Sequence, residues 1–328
     1  MPPIVLRNRR EFFGQMGSSL VAVRLGASSM SDTASNLTTN DERAIPIVDT
    51  HHHLWDLTKF RLPWTDNVPK LARSFVMPDY LKATEGLGIA KTVYMEVDVE
   101  PTQQVAEAEY VIDICQRGDS PMRAVVISGR PASEGFKDYI TRFKGNPYIK
   151  GVRQVLHPPG TPRGLCLDKQ FIRSVQLLGE LGLSYDLCMR NNELEDGAKL
   201  IDACPDTRFI LDHCGNGDVQ SKDRSLWQRG LAAVAARKNV DCKISGIVAS
   251  AKPDGWSAVD LDPIIRTTIG EFGIDRVMFG GDWPVCTLAA TYRQWVEALR
   301  KVLNEMKVSA ADQRKVFSDN AVQFYELS

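Results

Sequence analysis

From residue 45 onward, short runs of β-branched and apolar residues alternate with longer stretches whose apolar positions recur at helical spacing. Eight runs predict strands: Ile45–Asp49, Lys91–Val97, Met122–Ser128, Ile149–Val155, Leu183–Met189, Thr207–Asp212, Val240–Ser245 and Arg276–Gly281. The segments between them, such as Gln104–Ile112 and Lys169–Leu178, carry the period of amphipathic helices. A strand followed by a helix, eight times over, predicts an α/β fold in which a parallel sheet closes into a (β/α)8 TIM barrel. A doubly wound open sheet would account for seven of the runs nearly as well. No repeat or low-complexity linker divides residues 45–328, so this stretch is expected to form a single domain.

Residues 1–44 break the pattern and read as an N-terminal leader. Asn8-Arg9-Arg10-Glu11-Phe12-Phe13-Gly14-Gln15, followed by the apolar Met16–Val23 and small residues at Gly26–Ser29, resembles a twin-arginine export signal. Arg24 interrupts the apolar region, which leaves a disordered or mitochondrial-type leader as the alternative. The chain is expected to be cytoplasmic, or exported by the twin-arginine route if residues 1–30 are a signal. Its 40 basic and 41 acidic residues nearly cancel, which argues against a nucleic-acid surface, a membrane-binding face and an acidic tail. The expected partner is a small-molecule substrate, and a homo-oligomer is left open. The seven cysteines form no C-x-x-C pair and several sit in apolar runs such as Val240–Ile244, so they read as buried free thiols. No apolar run reaches the length of a transmembrane helix.

All five histidines fall at the C-terminal ends of predicted strands: His51, His52 and His53 after the first, His157 after the fourth and His213 after the sixth. In a barrel those ends share one face, the face that carries the chemistry. Side chains two apart on a strand point the same way, so Asp49, His51 and His53 are expected on one face and His52 on the other. Two imidazoles so spaced can bind one divalent cation or polarise one substrate oxygen. The last strand breaks at Gly280 and Gly281 into Asp282-Trp283-Pro284, placing a carboxylate where the first and eighth strands adjoin. Asp282 is the expected general base, and the glycines are expected to let the backbone approach a ligand; a helix cap is the alternative for Asp282.

Arg153 and His157, four apart on strand four, share a face and would hold the substrate, with a structural salt bridge as the alternative for Arg153. On strand six the adjacent Asp212 and His213 must face differently, so His213 is assigned to catalysis and Asp212 to a supporting hydrogen bond. Glu96 and Lys243 are charges in otherwise apolar strands, expected to support the site or to pair with each other. Of the tryptophans near the mouth, Trp55 and Trp283 are candidates to stack on a substrate ring, whereas Trp64 is expected to pack.

Several of these segments carry a resemblance. Ile47-Val48-Asp49-Thr50-His51-His52-His53-Leu54-Trp55-Asp56, Gly151-Val152-Arg153, Leu211-Asp212-His213-Cys214-Gly215, Lys243-Ile244-Ser245-Gly246 and Phe279-Gly280-Gly281-Asp282-Trp283-Pro284 together resemble the amidohydrolase superfamily. The strand-one and strand-six segments are most similar to the sugar-lactonase branch of the amidohydrolase-2 family, which includes L-fuconolactone and L-rhamnonolactone hydrolases. The resemblance implies a (β/α)8 barrel over residue 45 to the end. Binuclear members of the superfamily use a lysine or glutamate ending strand four and a histidine ending strand five. Here strand four ends in Val155-Leu156-His157, and strand five reads Tyr185-Asp186-Leu187-Cys188-Met189-Arg190 with no histidine, which argues against two metals.

What remains is a mononuclear site of His51, His53 and Asp282, with zinc the first choice, or catalysis without metal. The expected activity is hydrolysis of a small sugar-acid or muconate-type lactone. Asp282 would activate water, His51 and His53 would polarise the carbonyl, and Arg153, His157 and His213 would stabilise the oxyanion and hold substituents. The alternatives are a metal-dependent non-oxidative decarboxylase of the same family and a non-catalytic sugar-acid binding barrel.

Overall fold

The computed structural model describes residues 45–327, and the export-signal reading of residues 1–44 lies outside them. Eight parallel strands pair in chain order: β1 (Ile47–His52), β2 (Ile89–Met95), β3 (Met122–Ser128), β4 (Ile149–Val155), β5 (Ser184–Cys188), β6 (Arg208–Leu211), β7 (Val240–Ile244) and β8 (Val277–Phe279). Where β1 meets β8, the His53 N–H donates to Trp283 O at 2.7 Å and the Asp282 N–H donates to His51 O at 2.6 Å. These bonds close the sheet into the expected barrel. Helices such as Gln104–Arg117, Lys169–Glu180 and Tyr292–Glu305 wrap its outer face. No described helix is long and apolar enough to cross a membrane, and all seven cysteines are free and buried.

The main core lies between sheet and helices. A smaller core fills the barrel floor, where Val48, Val93, Met95, Ala124, Val126, Ile210 and Met278 meet Phe324 and Tyr325 from the last helix and Leu327 just beyond it. Inward-facing positions further along the strands are charged: Glu96, Arg153, Asp186, Asp212 and Lys243 are all buried. Such groups persist inside a fold only when paired, and they are paired, though not as Glu96 with Lys243. Glu96 accepts from Arg153 Nε at 2.8 Å, and Lys243 Nζ lies 2.5 Å from Asp186 Oδ2 and 3.1 Å from Asp212 Oδ1.

Strand β1 departs from simple alternation. Asp49 stands opposite Thr92 and His52 opposite Tyr94, three steps on β1 against two on β2, which is a bulge. The extra residue resets the pleat, so the expectation that Asp49 shares a face with His51 and His53 does not hold. Asp49 points out of the barrel, where its carboxylate accepts from the hydroxyls of Tyr80 at 2.9 Å and Tyr292 at 2.8 Å. It also accepts from the backbone N–H groups of His51 at 3.0 Å and Gly281 at 2.7 Å. His52 points outward too, packed against Tyr80 and Tyr94. His51 and His53 face inward.

Candidate active site

A cavity of about 410 Å³ opens at the C-terminal ends of the strands. His53, Arg153, His157, His213 and Asp282 line it, with His51 buried directly beneath. His53 Nδ1 lies 2.9 Å from Met95 O. A carbonyl only accepts, so Nδ1 carries the hydrogen, and in the neutral ring Nε2 presents a bare lone pair. That lone pair faces Asp282 Oδ1 at 3.3 Å. His51 is built alike: Nδ1 lies 3.4 Å from Asp212 Oδ1, and Nε2 lies 3.7 Å from Asp282 Oδ1 and 3.3 Å from an N–H of Arg153. Burial holds the His51 imidazole well below its ordinary range, against the pull of Asp212, so the ring is neutral.

Asp282 sits at φ 52°, a left-handed conformation that turns its side chain from the end of β8 toward the two imidazoles. Gly280 and Gly281 make this approach possible because a side chain at either position would collide with the site's own residues. A Cβ on Gly280 would come within 2.8 Å of His51 Cβ, and one on Gly281 within 2.7 Å of Asp49 Oδ2.

Strand six also departs from alternation. The strand ends at Leu211, and His213, Cys214, Gly215 and Asn216 follow with φ of 56°, 52°, 66° and 54°, one turn of left-handed helix. This turn brings His213 back over the barrel, so Asp212 and His213 both face inward although they are adjacent. The His213 ring lies 4.4 Å from that of His51, and its Nδ1 is 2.9 Å from Ser245 Oγ. With the Ser245 hydroxyl donating to Nδ1, one of the two tautomers this contact allows, Nε2 carries the hydrogen. Burial lowers the His213 imidazole, keeping it neutral. Asp212 would be raised by its burial, but Lys243, His51 and Arg153 outweigh this and hold it well below the ordinary carboxylate range. It therefore stays ionised and orients both His51 and Arg153.

Arg153 lines the cavity with its fork engaged. Nε donates to Glu96 Oε1 at 2.8 Å, one terminal nitrogen to Glu96 O at 2.7 Å, and the other to Asp212 at 3.3 Å. His157 stands exposed at the rim. Among the tryptophans, Trp64 packs edge-on against Trp55 as expected and also lines the cavity, donating to Val97 O at 2.8 Å. Trp55 donates to Arg73 O and packs on Phe75, and Trp283 packs on Phe75 and Tyr80, both buried away from the cavity. Sequence reasoning passed over Asp98, Cys188 and Asn216, which also line it. Asp98 follows Glu96 by two at the end of β2, the same periodicity that singled out His51 and His53.

The donor set suits one divalent cation. A tetrahedral ion bound at about 2.0–2.2 Å holds its ligand atoms roughly 3.3–3.6 Å apart. The Asp282 oxygen stands 3.3 Å and 3.7 Å from the two imidazole nitrogens. His53 is fixed by a hydrogen bond on its other nitrogen, as metal-ligating histidines are, and His51 faces the Asp212 carboxylate with its own. A second group, His51, Asp212 and His213, also converges, but Asp212 is already shared by Lys243 and Arg153.

An eight-stranded α/β barrel with a buried histidine–carboxylate cluster at its strand ends has the architecture of a barrel hydrolase. The chain belongs to the amidohydrolase family: residues 48–327 match the family model described as amidohydrolase. It is 28% identical over 291 residues to an L-fucono-1,5-lactonase of Burkholderia multivorans, covering 85% of this chain and 96% of that one. It is 26% identical over 239 residues to a 4-sulfomuconolactone hydrolase of Rhizobium radiobacter, covering 72% and 75%. The crystal structure of a zinc-bound amidohydrolase from Burkholderia multivorans superposes with a TM-score of 0.76 at 25% identity, covering 86% of this chain and all of that one.

Proposed function

We propose that this chain hydrolyses the ester bond of a small lactone. The observation that carries the reading is the convergence of Asp282 with the bare nitrogens of His51 and His53 at the base of a cavity open to solvent. Oδ1 of Asp282 faces the two imidazole nitrogens, and among the described residues Oδ2 has no hydrogen-bonding partner, so Oδ2 is available to a water molecule. Asp282 takes a proton from that water as its oxygen attacks the carbonyl carbon. Negative charge gathers on the carbonyl oxygen, where the Nε2–H of His213 donates to it. The bond from the carbonyl carbon to the ring oxygen then breaks, Asp282 returns the proton to that oxygen, and a hydroxy acid leaves. His51, His53 and Asp282 would hold a divalent ion, which when bound supplies Lewis-acid polarisation of the carbonyl.

The similarity to lactone hydrolases supports this reading. A decarboxylase would need Arg153 to grip a substrate carboxylate, and its engagement with Glu96 weighs against that role. The test is acid release from a panel of aldonolactones and simple γ-lactones by the wild type and Asp282→Asn. We expect kcat to fall ~10²–10⁴-fold in the variant with the unfolding midpoint preserved. Undiminished turnover by Asp282→Asn would refute the assignment.

A further inference from the structure

The charge arrangement around the cavity narrows the substrate class, an inference that rests on the lactone reading above. One wall is apolar, formed by Trp64, Val97, Val155, Pro158, Ala249 and Val285. Arg153 is the only arginine or lysine in the cavity lining among the described residues. It is paired with Glu96, and the cations behind the wall are paired as well. Arg130 donates to Asp98 Oδ1 at 2.6 Å, Arg190 to Glu193 at 2.7 Å and Lys243 to Asp186 at 2.5 Å. Drawing any of them to a substrate anion would strand a carboxylate.

The cavity itself presents two carboxylates, Asp282 and Asp98. Asp98 holds a left-handed backbone, φ 51°, unusual for a residue other than glycine. It is fixed there by Arg130 and by its own N–H, which donates to Glu96 Oε2 at 2.7 Å. Backbone strain retained at a cavity wall marks a position with a task. We propose that the cavity takes an uncharged lactone bearing an apolar substituent and rejects one bearing a carboxylate or sulfonate, with Asp98 as the wall residue that sets this preference. Its carboxylate repels a like charge and accepts a hydrogen bond from a ring hydroxyl.

Two five-membered lactams test the preference without turnover: 5-methyl-2-pyrrolidone and pyroglutamate, which carries a carboxylate in place of the methyl. Calorimetric titration of the full-length wild type should show the methyl lactam binding at least ~10-fold tighter. Equal affinities, or tighter binding of pyroglutamate, would overturn the proposal. Asp98→Asn should shrink the ratio at least ~5-fold by releasing Arg130, and Arg130→Gln should widen it. A ratio unmoved in both variants removes Asp98 from the assignment. If the lactam preference holds while no lactone is hydrolysed, it is the hydrolase reading that fails.

Discussion

Replacing Asp49 with alanine deletes an acceptor on which four buried donors depend: two tyrosine hydroxyls from the helix layer and two backbone N–H groups from β1 and the end of β8. Each buried donor left without a partner costs about 1–3 kcal/mol. Water entering the vacated space recovers part of this, so a net loss of about 4 kcal/mol is expected, a large share of the ~5–15 kcal/mol typical of a folded domain. Asp49→Asn keeps the shape and one acceptor oxygen while losing the charge, and should cost roughly 2 kcal/mol. Urea unfolding at pH 7, followed by tryptophan fluorescence and circular dichroism, reads both values through the midpoint at constant m. The two N–H groups belong to His51 and to the neighbour of Asp282. Loosening them should lower kcat for a lactone at least ~10-fold in Asp49→Asn with a small effect on KM. A loss below about 1 kcal/mol in Asp49→Ala, or unchanged kcat in a folded Asp49→Asn, would refute the view that this carboxylate clasps the barrel seam and sets the site.

Three further outcomes follow from other parts of the structure. Burial beside Glu96 pushes the Glu107 carboxyl up to about 8, above its ordinary 4.5, so the folded state keeps a proton that the unfolded chain releases. Stability is therefore lost as pH rises from the ordinary carboxylate range toward 8, by roughly 1 kcal/mol between pH 7 and 8. Glu107→Gln should flatten that slope in urea midpoints measured across this range, and an unaltered slope counts against the buried acid. Gly281→Ala, whose methyl would crowd Asp49 and Tyr292, should cost at least ~2 kcal/mol by thermal or urea unfolding and reduce turnover; a neutral effect would show the seam to be loosely packed. Zinc added to chelator-treated protein should raise the unfolding temperature and bind at one equivalent by metal analysis. His53→Ala should abolish both effects, and undiminished binding would place the ion elsewhere.

The barrel was legible because its strands are short, apolar and regularly spaced, and their burial on both faces leaves little ambiguity of type. The strand-end rule likewise brought His51, His53, His213, Arg153, His157 and Asp282 to one mouth. Three features escaped it, each for a physical reason. Alternation assumes an unbroken pleat, and the extra residue on β1 turned Asp49 outward to the tyrosines. It also assumes that the strand persists, and the left-handed turn after Leu211 let Asp212 and His213 face the same way. Pairing of buried charges is set by which strands adjoin and at what height, so Glu96 found Arg153 and Lys243 found Asp186 and Asp212. The tryptophans show a further gap: Trp64 reaches the cavity from the loop between β1 and β2, whose path no local pattern specifies.

The left-handed turn at residues 213–216 bears on how substitution tolerance in this segment should be interpreted. Three of its residues are not glycine, and each holds a conformation that costs about 1–2 kcal/mol. They are kept there by bonds such as Trp227 Nε1 to Cys214 O at 2.8 Å and Asn216 Nδ2 to Met189 O at 2.7 Å. In a saturation library, Cys214 should accept glycine and reject valine, isoleucine and, because the site is fully buried, aspartate, although it lies away from the substrate cavity. A permissiveness map would thus score Cys214 and Gly215 as severely as His213. Their intolerance would report the handedness of the chain, and only at His213 would it report chemistry.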